Sequence, residues 1–147
     1  MKIPVHNGGT QSNEVTIPGA SVLDSAPAIF VTPLGDKLAV MTAADGALIG
    51  PNRPLRLGEV GVIYANALGA TTPADPPART VRPVEVLVNG TAQQVLFAGL
   101  TPGAVGLYQV NFLLGAGTPV KGDGTDEVKL RVDGVESPVL RTALSPN

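Results

Sequence analysis

The sequence predicts an all-β fold, an immunoglobulin-like β-sandwich with Greek-key connections, from three observations. Apolar residues alternate with polar ones in period two over short runs, most clearly at 128–132. Glycine and proline, 18 and 14 of the 147 residues, interrupt nearly every window that is long enough for a helix. Aromatic residues make up only 3% of a chain that is 44% hydrophobic, and this composition suits thin packed sheets. About eight to ten short strands at this spacing are typical of a sandwich.

The predicted strands follow one another between turn signals. In order, they are expected at 15–17, 26–31, 38–41, 47–49, 57–64, 84–88, 94–97, 107–114, 128–132 and 138–144. The pairs Asp45-Gly46, Asn89-Gly90 and Asp133-Gly134 predict hairpin turns. Residues 66–83 have no periodicity and contain four prolines, so we expect a crossover between sheets or an exposed functional loop there.

Residues 97–111, with the sequence F-A-G-L-T-P-G-A-V-G-L-Y-Q-V-N, are expected to form the central corner of the fold. After Leu100, Pro102 fixes its own φ and Gly103 can adopt the positive φ that a type II turn requires. Tyr108 is expected to cap this corner, as the tyrosine corner does in immunoglobulin-like domains. A corner between two strands is preferred here to any catalytic interpretation.

Composition excludes several classes of function. The net charge is −2 and no basic stripe is present, so we expect no nucleic-acid partner. No apolar run approaches the ~20 residues that a membrane helix needs. The chain has no cysteine, which excludes disulfides, thiolate zinc sites and cysteine nucleophiles. The N-terminus lacks the apolar core of a secretory signal, so an exported protein would contain this chain as a mature or excised piece.

Few residues are candidates for catalysis or metal binding. His6 is the only histidine, so no Ser-His-Asp arrangement can be assembled, and we expect neither enzymatic activity nor a cofactor. Asp123, Asp126 and Glu127 could offer oxygen ligands to Ca²⁺, but their spacing does not match an EF-hand, and a solvated turn is the favoured interpretation. Asn89-Gly90-Thr91 matches a glycosylation sequon, although a hairpin explains the same residues.

A ligand loop is a further possibility. Arg79 and Arg82, within the proline-rich residues 66–83, could bind an acidic ligand, a polysaccharide or another cell-surface component. The aromatic platform of carbohydrate-binding modules is missing, however, because Tyr64 and Tyr108 are the only tyrosines and tryptophan is absent.

A family resemblance covers most of the chain. It is carried by A-P-A-I-F at 26–30, L-G-E at 57–59, residues 84–90, F-A-G-L-T-P-G at 97–103 and G-L-Y-Q-V-N at 106–111. In these segments the chain resembles the uncharacterised C-terminal domain family that is common in secreted acidobacterial (Solibacter-type) proteins. The resemblance implies an extracellular immunoglobulin-like module of larger exported proteins, with no established activity. The chain departs from the family at 114–117, where L-G-A-G stands in place of the usual proline, and this affects loop details rather than the fold.

The beginning of the chain is similar to its end. G-T-Q-S at 9–12 leads into Val15, Thr16 and Ile17, and G-V-E-S at 134–137 leads into 139–140. In the family, this G-x-x-S turn is the last hairpin of a domain, so the chain has two closing strands. Either residues 15–18 are the first strand of the sandwich, or they add a strand to a neighbouring copy.

We therefore expect an N-terminal arm at 1–20, a possible donor strand, and a sandwich at 21–147. The leading hypothesis is a non-enzymatic extracellular or cell-surface structural module that self-associates head to tail through Val15, Thr16 and Ile17 into a filament or surface assembly. The alternative is a ligand- or carbohydrate-binding accessory domain of a secreted protein that uses residues 66–83.

Overall fold

The computed structural model describes residues 1–19, 23–33, 37–72 and 77–147. These residues form fifteen short strands and no helix, so the predicted all-β class is confirmed. The strands are β1 (Lys2–Ile3), β2 (His6–Asn7), β3 (Thr10–Gln11), β4 (Val15–Thr16), β5 (Ala28–Ile29), β6 (Met41–Ala43), β7 (Leu55–Arg56), β8 (Val60–Asn66), β9 (Val84–Val88), β10 (Thr91–Leu100), β11 (Tyr108–Leu113), β12 (Asp126–Val132), β13 (Val135–Glu136), β14 (Leu140–Thr142) and β15 (Leu144–Ser145).

Nine of these strands form one antiparallel sheet in the order β13-β12-β9-β10-β11-β8-β5, with β14 also paired to β12 and β6 to β8. The ten-residue β10 belongs to both halves, because it pairs with β9 through residues 91–93 and with β11 through 94–100. Its register shifts between Val95 and Phe97, and such a bulge bends a strand. The sheet therefore curls, as expected for a β-sandwich.

One hydrophobic core fills the curled sheet. Val86 and Leu130 come from one half of the sheet, Ile63 and Phe112 come from the other, and all four side chains are fully buried in one cluster. Ile63, Phe112 and Leu130 belong to strands in which every second residue is buried, whereas the last three residues of β9 are all buried. The buried side chains of both halves thus pack together.

All three predicted hairpins are confirmed. The one at Asp45-Gly46 is closed by a hydrogen bond from the Ala43 N–H to the Ala47 carbonyl at 2.8 Å. Asn89 and Gly90 join β9 to β10 with φ of 47° and 79°, and Asp133 and Gly134 join β12 to β13 with φ of 49° and 78°. Two successive positive φ angles characterise the type I′ turn, whose twist matches that of the flanking strands.

The described part of residues 66–83 is more regular than the sequence indicates. Thr71 pairs with Thr80 to make a small hairpin, and the adjacent Arg79 pairs with Gly99 of β10. A Cβ on Gly99 would lie 2.1 Å from the carbonyl oxygen of Ala78, so this close approach requires glycine. Residues 66–83 connect β8 to β9 and so lead from one half of the sheet to the other, as the crossover alternative expects. Pro73 and Pro76 lie outside the described residues.

Candidate functional site

Residues 1–17 form a hairpin of their own, which we call the N-terminal hairpin. Ile3 pairs with Val15 in one two-stranded sheet, and His6 pairs with Gln11 in another. The ends are joined by two hydrogen bonds, because the Ile17 N–H donates to the Met1 carbonyl at 2.8 Å and the Met1 amino group donates to the Ile17 carbonyl at 3.1 Å. The hairpin is therefore closed along its whole length.

A serine holds the two parts of the N-terminal hairpin together. The Ser12 N–H donates to the Val5 carbonyl at 2.9 Å, and the Val5 N–H donates to Ser12 Oγ at 3.0 Å. The Ser12 hydroxyl in turn donates to the Asn13 carbonyl at 3.0 Å. The Ser12 side chain thus satisfies a main-chain donor between the β1–β4 pair and the β2–β3 pair.

One face of the N-terminal hairpin is apolar and exposed. Antiparallel partners share a face and alternate residues return to it, so its apolar side chains lie together. Their exposed fractions are 37% for Met1, 41% for Ile3, 64% for Val5, 61% for Val15 and 41% for Ile17. The opposite face is polar and contains the Lys2–Glu14 ion pair, whose charged atoms are 3.4 Å apart.

Val15, Thr16 and Ile17 thus lie in the N-terminal hairpin and not in the main sheet. Val15 and Thr16 form β4, whose partner is β1 of the same hairpin. The first explanation of the repeated G-x-x-S turn, a strand at the start of the sandwich, is therefore wrong. Addition of this segment to a neighbouring molecule stays a prediction. Ala20, the last residue of the predicted arm, lies outside the described residues.

The predicted corner is a hairpin connection between adjacent strands. Leu100 of β10 pairs with Tyr108 of β11, and Pro102 and Gly103 form the turn between them, with φ of 76° at Gly103. The Tyr108 hydroxyl donates to the carbonyl of Gly69 at 2.6 Å. This hydrogen bond therefore joins β11 to the segment that follows β8, which is distant in the sequence.

Both candidate ligand-binding arginines have partners within the fold. The Arg79 guanidinium lies 4.8 Å from the centre of the Phe97 ring, a cation–π contact. The Arg82 guanidinium forms ion pairs with Asp24, at 3.0 Å, and with Asp133. These contacts join the described part of residues 66–83 to the sheet and favour a structural role for both side chains.

The three carboxylates of the calcium candidate have separate surroundings. Asp126 is buried and accepts hydrogen bonds from the Lys121 and Gly122 N–H groups and from Asn89 Nδ2, at 2.8, 3.0 and 2.7 Å. Asp123 instead binds Thr125 and is exposed. No group of three potential metal ligands is present among the described residues.

The same network involves the asparagine of the sequon. The Asn89 side chain donates to Asp126 and to the carbonyl of Pro119, at 2.7 Å each, and accepts from the Glu127 N–H at 2.8 Å. A glycan on Asn89 Nδ2 would replace one of these donated hydrogen bonds. The hairpin interpretation of this sequence is therefore preferred.

Two bidentate ion pairs stabilise ionised carboxylates. Arg131 of β12 donates to Glu85 of β9 at 2.6 and 2.8 Å, and this hydrogen bonding lowers the pKa of Glu85. Hydrogen bonds from Arg53, at 2.9 and 3.2 Å, likewise lower the pKa of Glu59. The first of these pairs fastens β12 to β9.

One concave surface was not predicted from the sequence. A cavity of about 500 Å³ lies beside β14 and is lined by residues that include Leu38, Pro51, Asp123, Arg141 and Leu144. Leu38 reaches this place because it pairs with Arg141 as a parallel neighbour. The lining comes from segments that are distant in the sequence, and no local sequence signal indicates it.

Comparisons of the chain with protein-family models, curated proteins and solved structures find no match. Among the described residues, no helix has the length and apolar character needed to cross a membrane.

Proposed function

We propose that this chain is a non-enzymatic structural module that self-associates through its N-terminal hairpin by β-strand addition. The observation that supports the proposal is the exposed apolar face formed by Met1, Ile3, Val5, Val15 and Ile17. A hairpin of two strands is only marginally stable alone in water, and exposed apolar patches are typical of interaction sites. Both properties favour a partner that covers this face.

The main chain of the hairpin supports strand addition as the mode of contact. Met1 and Ile17 form a hydrogen-bonded pair, so the neighbouring Lys2 and Thr16 direct their N–H and C=O groups away from each other. An unpaired edge of this kind is a template for another strand. Pro18 limits the length of the β4 edge, so the added strand would be short.

The size of the apolar face predicts a weak contact. Burying the exposed half of four aliphatic side chains is worth roughly 1 kcal/mol each. The apolar surface that these side chains cover on the partner contributes a similar amount. The total of about 8 kcal/mol exceeds the lower end of the cost of association, about 4 kcal/mol, and the few added hydrogen bonds contribute a little more. We expect dissociation constants of about 0.1–1 mM between free molecules. A contact between different surfaces of successive copies would join them head to tail into a filament or surface assembly.

An extracellular or cell-surface setting is part of the proposal and rests on the family resemblance. His6 lies in β2 opposite Gln11, on the exposed N-terminal hairpin, and this position is consistent with a structural role. Arg79 and Arg82 have intramolecular partners, which makes the alternative of a ligand-binding loop the weaker one.

Sedimentation velocity over a range of concentrations tests the proposal. We expect the average mass of the full chain to rise with concentration, and Val15→Asp to weaken association at least tenfold, since a charge would enter the covered face. Gln11→Asp makes a similar change on the opposite face and should associate like the parent chain. Deletion of residues 1–19 should remove the larger species. A sharp monomer boundary at millimolar concentration, or equal association of both variants, would contradict the proposal.

A further inference from the structure

The N-terminal hairpin has a structural duplicate at the other end of the chain. We call residues 126–142, which contain β12, β13 and β14, the C-terminal hairpin. Its Ser137 N–H donates to the Leu130 carbonyl at 2.8 Å, and the Leu130 N–H donates to Ser137 Oγ at 2.9 Å. Ser12 and Val5 make the same two bonds at 2.9 and 3.0 Å. Both serines also donate to the carbonyl of the next residue, at 3.0 Å in each case.

The correspondence holds position by position with a constant offset of 125 residues. Ile3 pairs with Val15 as Val128 pairs with Leu140, and the hairpin registers around the serines match in the same way. Both turns consist of two residues with positive φ. Only the second turn glycine and the serine are identical in the two hairpins. The similarity that G-x-x-S indicates in the sequence is therefore a similarity of structure.

The two hairpins differ in what covers them. In the C-terminal hairpin, β12 pairs with β9 along five residues, and β14 lies beside Leu38 and Ala39. Val128 and Leu130 are consequently buried, at 1% and 0% exposure. Their counterparts Ile3 and Val5 are exposed. We call a hairpin that completes the main sheet in this way a closing hairpin. The N-terminal hairpin thus has the form of a closing hairpin, but it pairs with no such sheet.

We infer that the N-terminal hairpin is the closing hairpin of a second sandwich module of this fold. It docks on the surface that the C-terminal hairpin covers here. In that module Ile3 lies opposite the counterpart of Val88 and Val5 lies opposite the counterpart of Val86, as Val128 and Leu130 do in this one. This inference rests on the proposed function, because it names the surface that receives residues 1–17.

The chemistry of the hairpin indicates which module accepts it. In a second copy of this chain, the surface is already filled by that copy's own C-terminal hairpin. Met1 and Asn7 would also replace the buried Asp126 and Val132, which fits neither the Asp126 network nor the core. Pro4 lies next to Val5, with its main chain directed to the open edge, where it offers no N–H. The module that accepts residues 1–17 in this register is therefore a related one that lacks a closing hairpin of its own, whereas a second copy of this chain offers only the weak contact at the open edge.

A tandem fusion of the existing chain tests this inference. In this fusion, residues 18–125 directly precede Met1 of the full chain. Residues 1–17 therefore follow residue 125 in the place that residues 126–142 occupy in the existing chain. A matched fusion also contains Met1→Asp, Pro4→Lys and Asn7→Val, which restore the residues of the C-terminal hairpin. A positive control joins 18–142 to 18–147. Covalent linkage makes docking intramolecular and removes the concentration requirement.

Two measurements read the result. Amide exchange in residues 3–7 should slow about 100-fold in the matched fusion relative to the 147-residue chain, and by less in the unmatched fusion. Because the chain has no cysteine, Val5→Cys and an upstream Val86→Cys should form a disulfide, whereas Val5→Cys and an upstream Leu87→Cys should not. Exchange as fast in both fusions as in the single chain, or equal cross-linking at both positions, would overturn the inference.

The outcome is separable from that of the proposed function. If the fusion closes while the single chain sediments as a monomer, the docking surface is correct and self-association of identical copies is wrong. If the single chain assembles through residues 1–17 but the matched fusion stays open, self-association stands and the docking surface is wrong.

Discussion

Replacing Asp126 with alanine should lower the free energy of unfolding by much more than is usual for a residue in an acidic turn. The carboxylate is fully buried and accepts three hydrogen bonds of 2.7–3.0 Å from Asn89, Lys121 and Gly122. Hydrogen bonds to charged groups are worth about 1.5–3 kcal/mol each, but those of one network do not add. Asp126→Ala leaves three donors without their acceptor, each at a cost of about 1–3 kcal/mol, and we expect about 3–5 kcal/mol in total. For a chain of this size that cost lowers Tm by roughly 6–20 °C.

Urea and thermal unfolding followed by far-UV circular dichroism measure this loss, since the chain has no tryptophan to report by fluorescence. Asp123→Ala is the matched control, because Asp123 is exposed and binds only Thr125, and its cost should stay below about 1 kcal/mol. Millimolar calcium should leave the Tm of the parent chain unchanged. Equal stability of Asp126→Ala and Asp123→Ala, or a calcium-dependent Tm that Asp126→Ala abolishes, would refute a structural role for Asp126.

Three further substitutions test other contacts of the fold. Tyr108→Phe removes the hydrogen bond to the Gly69 carbonyl and should cost about 1 kcal/mol in urea unfolding, with faster amide exchange in residues 66–72. Gly99→Ala forces a Cβ against the Ala78 carbonyl and should cost at least about 2 kcal/mol by the same assay. Hydrogen bonding lowers the pKa of folded Glu85, so its ionised form stabilises the fold above about pH 4.5, and this contribution is lost as the pH falls through the folded pKa. Glu85→Gln should therefore weaken the dependence of the free energy of unfolding on pH at acid pH.

Each of these substitutions has a control in the same protein. Tyr64→Phe changes the other tyrosine, whose hydroxyl makes no hydrogen bond within the described part of the chain, and should be neutral. Gly117→Ala adds a Cβ where no atom lies within 4 Å. Glu127→Gln removes a carboxylate that forms no ion pair within the described ranges, and should cost less stability at neutral pH than Glu85→Gln. Effects as large in the controls as in the test variants would contradict the contacts assigned here.

The fold class and most strands follow from short-range chemistry, which a sequence displays. Asn89-Gly90 and Asp133-Gly134 determine their own turn type because both positions take a positive φ, and the turn then aligns the strands on either side. The alternation in β12 also predicts which side chains are buried. Such features involve residues that are neighbours in the chain.

The partners of strands and charged side chains are harder to predict. The alternation at Val15 indicates a strand but not its partner, and the pairing with Ile3 depends on the turn and serine between them. Arg82 suggests a ligand contact until the fold brings Asp24 and Asp133 to it. These contacts are set by the packing of distant segments, which neither spacing nor composition specifies.

The role of the N-terminal hairpin was partly visible in the sequence. The repeated G-x-x-S turn identified Ser12 and Ser137 as equivalent, and their hydrogen bonds agree. Sequence could not show that Val5 is exposed while Leu130 is buried, because this difference depends on β9, which only one of the two hairpins contacts.

Amide hydrogen exchange of the full chain, measured at low and high concentration, shows whether the N-terminal hairpin is covered only by other molecules. We expect fast exchange at Ile3, Val5 and Val15 in dilute solution, slower exchange there as the concentration rises, and slow exchange at Leu130 throughout. Exchange at Val5 as slow as at Leu130 in dilute solution would mean that the N-terminal hairpin is already covered within its own molecule, and self-association through it would be wrong.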